Sequence, residues 1–207
     1  MNSIKFFFIL SAVLISSALK GQAAINPAIQ TTLNTFIDYS NQQDWDKAFD
    51  LLYPKLFTKV PKQDLVDVML GMEADGMSLK MTNLRIVSTS VPMIEGNETF
   101  VKVKYVADMD VNIKPGGMYD YPKSITSITQ QFQSTYGADN VKWNAQFMRF
   151  EIIANKSMMA IQTGTGAWKL VEINMDQPEL MEYLFFFFLA MVRRTRQVGD
   201  KTSTEDS

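Results

Sequence analysis

The 207-residue sequence contains no cysteine and no histidine. Without cysteine there are no disulfides, thiol nucleophiles, zinc–thiolate sites or iron–sulfur clusters. Without histidine, the usual general base and the commonest metal ligand are missing. Neither sign of charge dominates, because 20 lysines and arginines stand against 22 aspartates and glutamates, which gives a net charge of −2. We therefore predict no metal site, no cofactor and no nucleic-acid partner.

Familiar catalytic patterns are missing as well. The sequence has no GxSxG, P-loop, HExxH or EF-hand pattern, so it indicates no catalytic residue. Fourteen methionines raise the alternative of copper, because thioethers suit Cu(I). Without histidine, cysteine or a local Met-x-Met repeat, we interpret the methionines as adaptable core fillers.

The first 23 residues have the pattern of a secretory signal peptide. Lys5 gives a short positive region, and residues 6–15 (FFFILSAVLI) give an apolar region. Cleavage after Ala23 or after Gly21 would satisfy the small-residue rule. A buried N-terminal helix is the alternative, while a spanning anchor needs about 20 apolar residues. We predict an exported protein, either periplasmic or secreted.

Helical periodicity follows the signal peptide. Apolar residues at helical spacing predict an amphipathic helix over about residues 27–41. The pattern restarts at Trp45 and stops at Pro54, where proline ends a second helix. Pro61 is typical of a first-turn proline and opens a third helix.

From about Leu79 the apolar period changes to two, which predicts strands. Alternation is clearest over residues 99–113. A short helix that ends near Gly137 comes next. Asn155-Lys156 and residues 164–166 are interpreted as hairpin connections. They separate three further predicted strands, at about residues 140–153, 157–163 and 167–174.

This order of elements predicts the α+β class, with N-terminal helices packed on a curved antiparallel sheet of four to six strands and a C-terminal helix. The domain covers residues 24–197, and the polar tail at residues 198–207 is predicted to be disordered. No internal repeat or linker divides the chain, so a single domain is expected.

Four aromatic residues are the candidates for a ligand-binding site, because aromatic rings line many small-molecule cavities. The alternative interpretation is that they belong to the hydrophobic core. The four are Trp45, Tyr105, Tyr119 and Trp143.

Asp108 and Asp110 form the most enzyme-like pair in the sequence, since paired carboxylates can divide acid and base roles. Alternation places both on the same face as Lys102 and Lys104, opposite the apolar row. We therefore predict a solvated strand face rather than a catalytic pair.

The least usual part of the sequence is the apolar run at residues 183–192, in a helix that starts at Pro178. Ten helical residues span about 15 Å, half of the ~30 Å bilayer core, so the run does not cross a membrane. A core helix, a homodimer contact and a membrane-surface contact all stay open, because the run is apolar on every face. The homodimer hypothesis depends on Phe185, Phe186, Phe187 and Phe188.

Four segments carry a resemblance to a known family: FIDY (36–39), DWDKA (44–48), YPKLF (53–57) and WKLVE (168–172). They resemble the opening helices and the closing strand of the nuclear-transport-factor-2-like superfamily, the cone-shaped α+β fold shared with ketosteroid isomerase and scytalone dehydratase. The resemblance covers about residues 27–175 and is closest to exported Bacteroidetes-type members of unknown role. It implies a cone whose concave face is covered by the helices.

No catalytic position of that family can be carried over. Its dehydratase-type sites use histidine, which is missing here, and its isomerase-type sites use an aspartate base that faces the cone beside a tyrosine. Tyr105 faces inward by alternation, but the aspartates of its strand do not. We expect an exported non-enzymatic domain that binds a small apolar ligand or a protein partner. The alternatives are an isomerase or lyase with an acid not yet placed, and an accessory subunit without a ligand.

Overall fold

Residues 25–58 and 60–172 are described by the computed structural model of this chain. The predicted signal peptide, the apolar run at residues 183–192 and the polar tail lie outside the described residues. Within them, no helix is long and apolar enough to cross a membrane.

The first two helices begin where side chains cap them. Helix α1 (Pro27–Asn41) confirms the predicted first helix, and the side chain of Asn26 accepts a hydrogen bond from its first turn. Helix α2 (Trp45–Asp50) is capped by the Asp44 carboxylate, which accepts from a backbone N–H of its first turn. Both helices turn their apolar residues toward the core.

Two further helices follow the sequence pattern closely. A 3-10 helix (Pro54–Thr58) leads to α3 (Lys62–Ala74), and α4 (Pro122–Tyr136) ends at Gly137 as predicted. Pro61 precedes α3 as its N-cap residue. The expectation of a first-turn proline was therefore wrong by one position, because Pro61 has the extended ψ of 138°.

A six-stranded antiparallel sheet takes up most of the remaining residues. Strand β3 lies at its centre, between β1 and β5, and β2 pairs with β3 beyond the end of β1. Strands β4 and β6 both pair with β5. The strands are β1 (Met77–Thr89), β2 (Met93–Glu95), β3 (Glu98–Ile113), β4 (Val141–Asn144), β5 (Arg149–Thr163) and β6 (Lys169–Glu172).

The alternation predicted for residues 99–113 is confirmed in β3. Every second residue from Val101 to Ile113 is buried, whereas Lys104 and Asp108 are exposed. An irregularity in the pairing of β1 separates Thr82 from Arg85.

The predicted hairpin at Asn155-Lys156 was wrong. Strand β5 continues through both residues, which pair with Val106 and Tyr105 of β3. The chain instead reverses between β4 and β5 at residues 145–148, where Met148 has a φ of 51°. A polar dipeptide resembled a turn, but unbroken pairing with the long strand β3 keeps it extended.

The core lies between the sheet and the helices. Ile29, Leu33 and Leu65 of the N-terminal helices pack with the inward row of β3. Phe132 of α4 joins the same core and contacts Phe150 of β5, with ring centroids 5.2 Å apart. The described residues are therefore an α+β fold with N-terminal helices on an antiparallel sheet, as the sequence predicted.

Candidate functional site

Trp45 lies at the start of α2, with only 3% of its surface exposed. Its Nε1–H donates a hydrogen bond of 2.8 Å to Oε1 of Glu73 in α3. Burial raises the pKa of the Glu73 carboxyl, and this hydrogen bond offsets part of the rise. The ring also borders a cavity of about 10 Å³. That volume is close to the room that one water molecule needs.

Tyr105 belongs to a second group of side chains on the inward face of the sheet. It pairs across β3 and β5 with Lys156, whose Nζ lies 4.6 Å from the ring centroid of Tyr136. The same Nζ lies 3.8 Å from Oε1 of Glu172. We call Tyr105, Tyr136, Lys156 and Glu172 the inner polar cluster.

The strand period explains how these residues meet. Lys156 occupies the inward row of β5, between the buried residues Ala154 and Met158. Glu172 pairs with Met158, which places it on the same face at the end of β6. Tyr136 comes from the last turn of α4. Three strands and one helix therefore each contribute one polar side chain.

The surroundings of the inner polar cluster favour the protonated, neutral forms of its two phenols and its carboxyl group. Burial, helped by the charge of Glu172, raises the pKa of Tyr105 well above its ordinary value, and burial also raises that of Tyr136. Burial raises the pKa of the Glu172 carboxyl, while Lys156 offsets part of this rise. Both phenols thus stay protonated, and Glu172 is a carboxyl group that accepts a proton more readily than an exposed one.

The other two aromatic candidates are packing residues in this structure. Tyr119 is 1% exposed and lies in the core just before α4. Trp143 is half-buried in β4, with its ring centroid 4.6 Å from that of Phe150. Trp45, Tyr105 and Trp143 therefore belong to three groups of contacts rather than to one cavity. Their ligand-binding role stays a prediction.

Asp108 and Asp110 lie on the outward face of β3, as predicted. Asp108 is exposed and accepts a 2.7 Å hydrogen bond from the Asn83 side chain. Asp110 forms a 3.2 Å ion pair with Arg149. Among the described residues, no group of three or more acidic side chains is placed to hold a metal ion.

An open sheet edge carries the most exposed apolar side chains of the described residues. Strand β2 pairs with β3 on one side, and no other strand of residues 25–172 pairs with its opposite side. Val91 and Ile94 are each 74% exposed, and Met93 is 58% exposed. We call Val91, Met93 and Ile94 the apolar edge.

At two other points of the sheet edge, a group from outside the sheet pairs with the edge strand. The side chain of Asn41, at the end of α1, donates to the Met81 carbonyl at 2.6 Å and accepts from the Met81 N–H at 2.8 Å. The amide therefore acts like a neighbouring strand for one residue of β1. On the far edge, Leu52 forms a parallel bridge with Leu170 of β6. The apolar edge has no such cover among the described residues.

Lys156 and Glu172 were missed in the sequence. Lys156 stands in an apolar row of period two, which runs from Phe150 through Ala154 and Met158 to Ala160. A lysine in such a row signals a buried charge in need of a partner. The adjacent Asn155 gives this position the composition of a turn, which hides the period of two.

No protein-family model matches the chain, and a comparison with curated proteins gave no match.

Proposed function

We propose that the chain is an exported, non-enzymatic binding domain that recognises a protein partner along the apolar edge. The observation that carries this proposal is the exposure of Val91, Met93 and Ile94 beside the open side of β2. Exposed edges invite pairing with another chain, and proteins normally cover or charge them. An extended partner segment would gain main-chain hydrogen bonds from β2 and apolar contacts from these three side chains.

The interior supports a protein partner over a small apolar ligand. Sites for such ligands usually measure about 300–1,000 Å³, whereas the cavity beside Trp45 measures about 10 Å³. An open depression of about 330 Å³ lies over α4, lined by Pro122 and by side chains such as Lys123, Thr126 and Gln130. Neither space is an enclosed apolar cavity of that size.

Two further parts of the proposal, the fold family and the export, start from the sequence. The cone-shaped fold of the nuclear-transport-factor-2-like superfamily is supported by the N-terminal helices on the antiparallel sheet. Export to the periplasm or the medium is supported by the signal pattern in residues 1–23.

Photo-crosslinking in the exporting cell tests the partner hypothesis. A benzoylphenylalanine residue replaces Ile94 in one variant and Ile153 in a matched control. Ile153 is also an exposed apolar strand residue, at 49%, but it lies on the outward face of β5. We expect a discrete protein adduct from position 94 that is absent from position 153 and is weakened by Val91→Asp. Identical adducts at both positions, or none at 94, would contradict the proposal.

A second candidate function, an isomerase or lyase, is favoured by the inner polar cluster. Glu172 is an inward carboxyl group of the kind that such a reaction requires, and Tyr105 supplies a protonated phenol beside it. In that reaction the Glu172 carboxylate takes a proton from the carbon next to a carbonyl. The phenol donates a hydrogen bond to the carbonyl oxygen as negative charge develops there.

Deuterium exchange next to the carbonyl of a simple cyclic ketone, followed by NMR, tests this second function. Under the enzyme hypothesis Glu172→Gln slows exchange about 100-fold or more. Glu73→Gln is the control, because Glu73 is a partly buried acid bonded to Trp45, outside the inner polar cluster. Exchange at the uncatalysed rate with the unmutated protein would exclude this substrate class.

A further inference from the structure

Three methionines meet at the small cavity beside Trp45. Met69 and Met72 lie three residues apart on the inward face of α3, and Met77 is the first residue of β1. All three are buried, and all three line the cavity of about 10 Å³. The sequence does not reveal this group of methionines, because the residues do not form a Met-x-Met repeat.

A carboxylate stands in the same cavity wall. Glu73 follows Met72 in α3, and its Oε1 accepts the Trp45 hydrogen bond. No lysine or arginine of the described residues forms an ion pair with it. Glu73 therefore brings a carboxyl group without a cationic partner among the described residues to the wall that holds the three thioethers.

The residue types in the cavity wall indicate which class of ligand binds there. Hard cations such as Ca²⁺ prefer six or more oxygen ligands, which the wall does not offer. Thioether sulfur is soft and suits Cu(I), and the face of an indole ring attracts a cation. One carboxylate balances one positive charge. A single buried water is the plain alternative, because the volume is right for one and the wall offers Glu73 and Ser78 as polar partners. The three thioethers are what favour a soft cation over water.

We propose that the methionine cavity, lined by Trp45, Met69, Met72, Glu73 and Met77, binds one Cu(I) ion. The thioethers are the ligands, Glu73 supplies the balancing charge, and the indole N–H of Trp45 holds Glu73 in place. Binding changes no oxidation state and needs no co-reactant. The site lies in the core between α2, α3 and β1, apart from the apolar edge, so it stands whether or not the proposed partner exists.

Methionine-methyl NMR of the full mature chain tests the site directly. Ag(I) serves as the probe, since it is a soft monovalent cation that is stable in air, and Cu(I) under anaerobic conditions with a competing chelator gives the affinity. We expect the ¹³C-methyl signals of Met69, Met72 and Met77 to move together and to saturate at one equivalent. Trp45 fluorescence should change with the same midpoint.

Two variants separate binding from folding. Glu73→Gln keeps every methionine, and we expect it to weaken Cu(I) binding about 10-fold while the three methyl signals still respond. Met72→Leu conserves core volume and should weaken binding at least 10-fold. Met158→Leu is the matched control, because Met158 is equally buried but does not line the cavity. Circular dichroism and thermal melts show that each variant is folded.

Three results would overturn the proposal. The first is Ag(I) leaving the three signals unmoved at millimolar concentration. The second is Ag(I) shifting exposed methionines such as Met93 and Met118 to the same extent, which marks unspecific thioether binding. The third is equal Cu(I) affinity of Met72→Leu, Met158→Leu and the unmutated chain.

Discussion

At the scale of single residues, the inward row of β5 shows how this fold accommodates a charge in its core. Lys156 is 18% exposed at its side chain, yet its ammonium group has both the Tyr136 ring and the Glu172 carboxylate as neighbours. A lysine stem packs well against apolar surface as long as its head group is paired. Specific contacts therefore replace the water that the ammonium group loses.

The raised pKa of Glu172 predicts a pH-dependent stability difference. A carboxyl group whose pKa is higher in the folded state stabilises the fold below its unfolded pKa, and this contribution is lost as pH rises through the folded pKa. We therefore expect Glu172→Gln to gain free energy of unfolding relative to the unmutated chain as pH rises from 4.5 to 7. The gain should be about 1 kcal/mol or less, because the side chain is 38% exposed.

Urea melts at pH 4 and pH 7 measure this difference. Glu151→Gln is the control, because Arg149 and Asn144 lower the pKa of Glu151 and the sign therefore reverses. A pH-independent difference for Glu172→Gln would show that its pKa is the same in the folded and unfolded chain.

Removing the charges of the two aspartates of β3 should leave the free energy of unfolding almost unchanged. Asp108 and Asp110 lie on the outward face, where one hydrogen bond and one partly exposed ion pair hold them. The double variant Asp108→Asn/Asp110→Asn should change the free energy of unfolding by only about 0.5 kcal/mol. A loss of about 2 kcal/mol or more in urea melts would reveal a buried role and contradict the solvated-face interpretation.

At the scale of elements, the sequence was informative wherever one face is apolar and the other polar. Helix α1 and strand β3 followed from periodicity alone, because each buries one side. The Asn155-Lys156 error arose because local composition favours a turn while pairing with β3 decides for a strand. The inner polar cluster could not be predicted as a group, since it joins residues far apart in sequence. The methionines of the methionine cavity lie close together, at residues 69–77, but their meeting with Trp45 depends on how α2, α3 and β1 pack.

The two hydrogen bonds of Asn41 allow a prediction of how much one side chain stabilises the edge of the sheet. Asn41→Ala removes both hydrogen bonds to Met81 and exposes the backbone groups of β1 to incomplete pairing. We expect a loss of about 1–2 kcal/mol in the free energy of unfolding. Amide hydrogen exchange at Met81 should also become faster.

Asn34→Ala is the matched control for this change. Asn34 lies in the same helix, but it is exposed, and its side chain accepts a hydrogen bond from the half-buried Gln30 side chain. Its substitution should stay within about 0.5 kcal/mol of the unmutated chain. Equal losses for the two variants would show that helix α1, rather than the sheet edge, is what both substitutions weaken.

At the scale of the whole molecule, one continuous core joins helices and sheet. Leu33 of α1, Leu65 of α3, Val103 of β3, Phe132 of α4 and Leu170 of β6 all belong to the same buried cluster. No part of the described fold has a separate core of this kind. A unit built in this way is expected to lose its helices and its sheet in one step.

The three tryptophans make this cooperativity measurable, because they report from separate places. Trp45 lies in α2, Trp143 in β4 and Trp168 just before β6, and all three pack in or against the common core. We expect tryptophan fluorescence, far-ultraviolet circular dichroism and methionine-methyl NMR to give the same urea midpoint for the purified chain. Single-tryptophan variants, with phenylalanine at the other two positions, identify which region departs if the curves separate. An earlier transition at Trp143 alone would place α4 and β4 in an independently unfolding unit and refute the single domain. Coincident curves would mean that the exposed apolar edge is carried on a fold that opens only as a whole, so a partner there binds the native state.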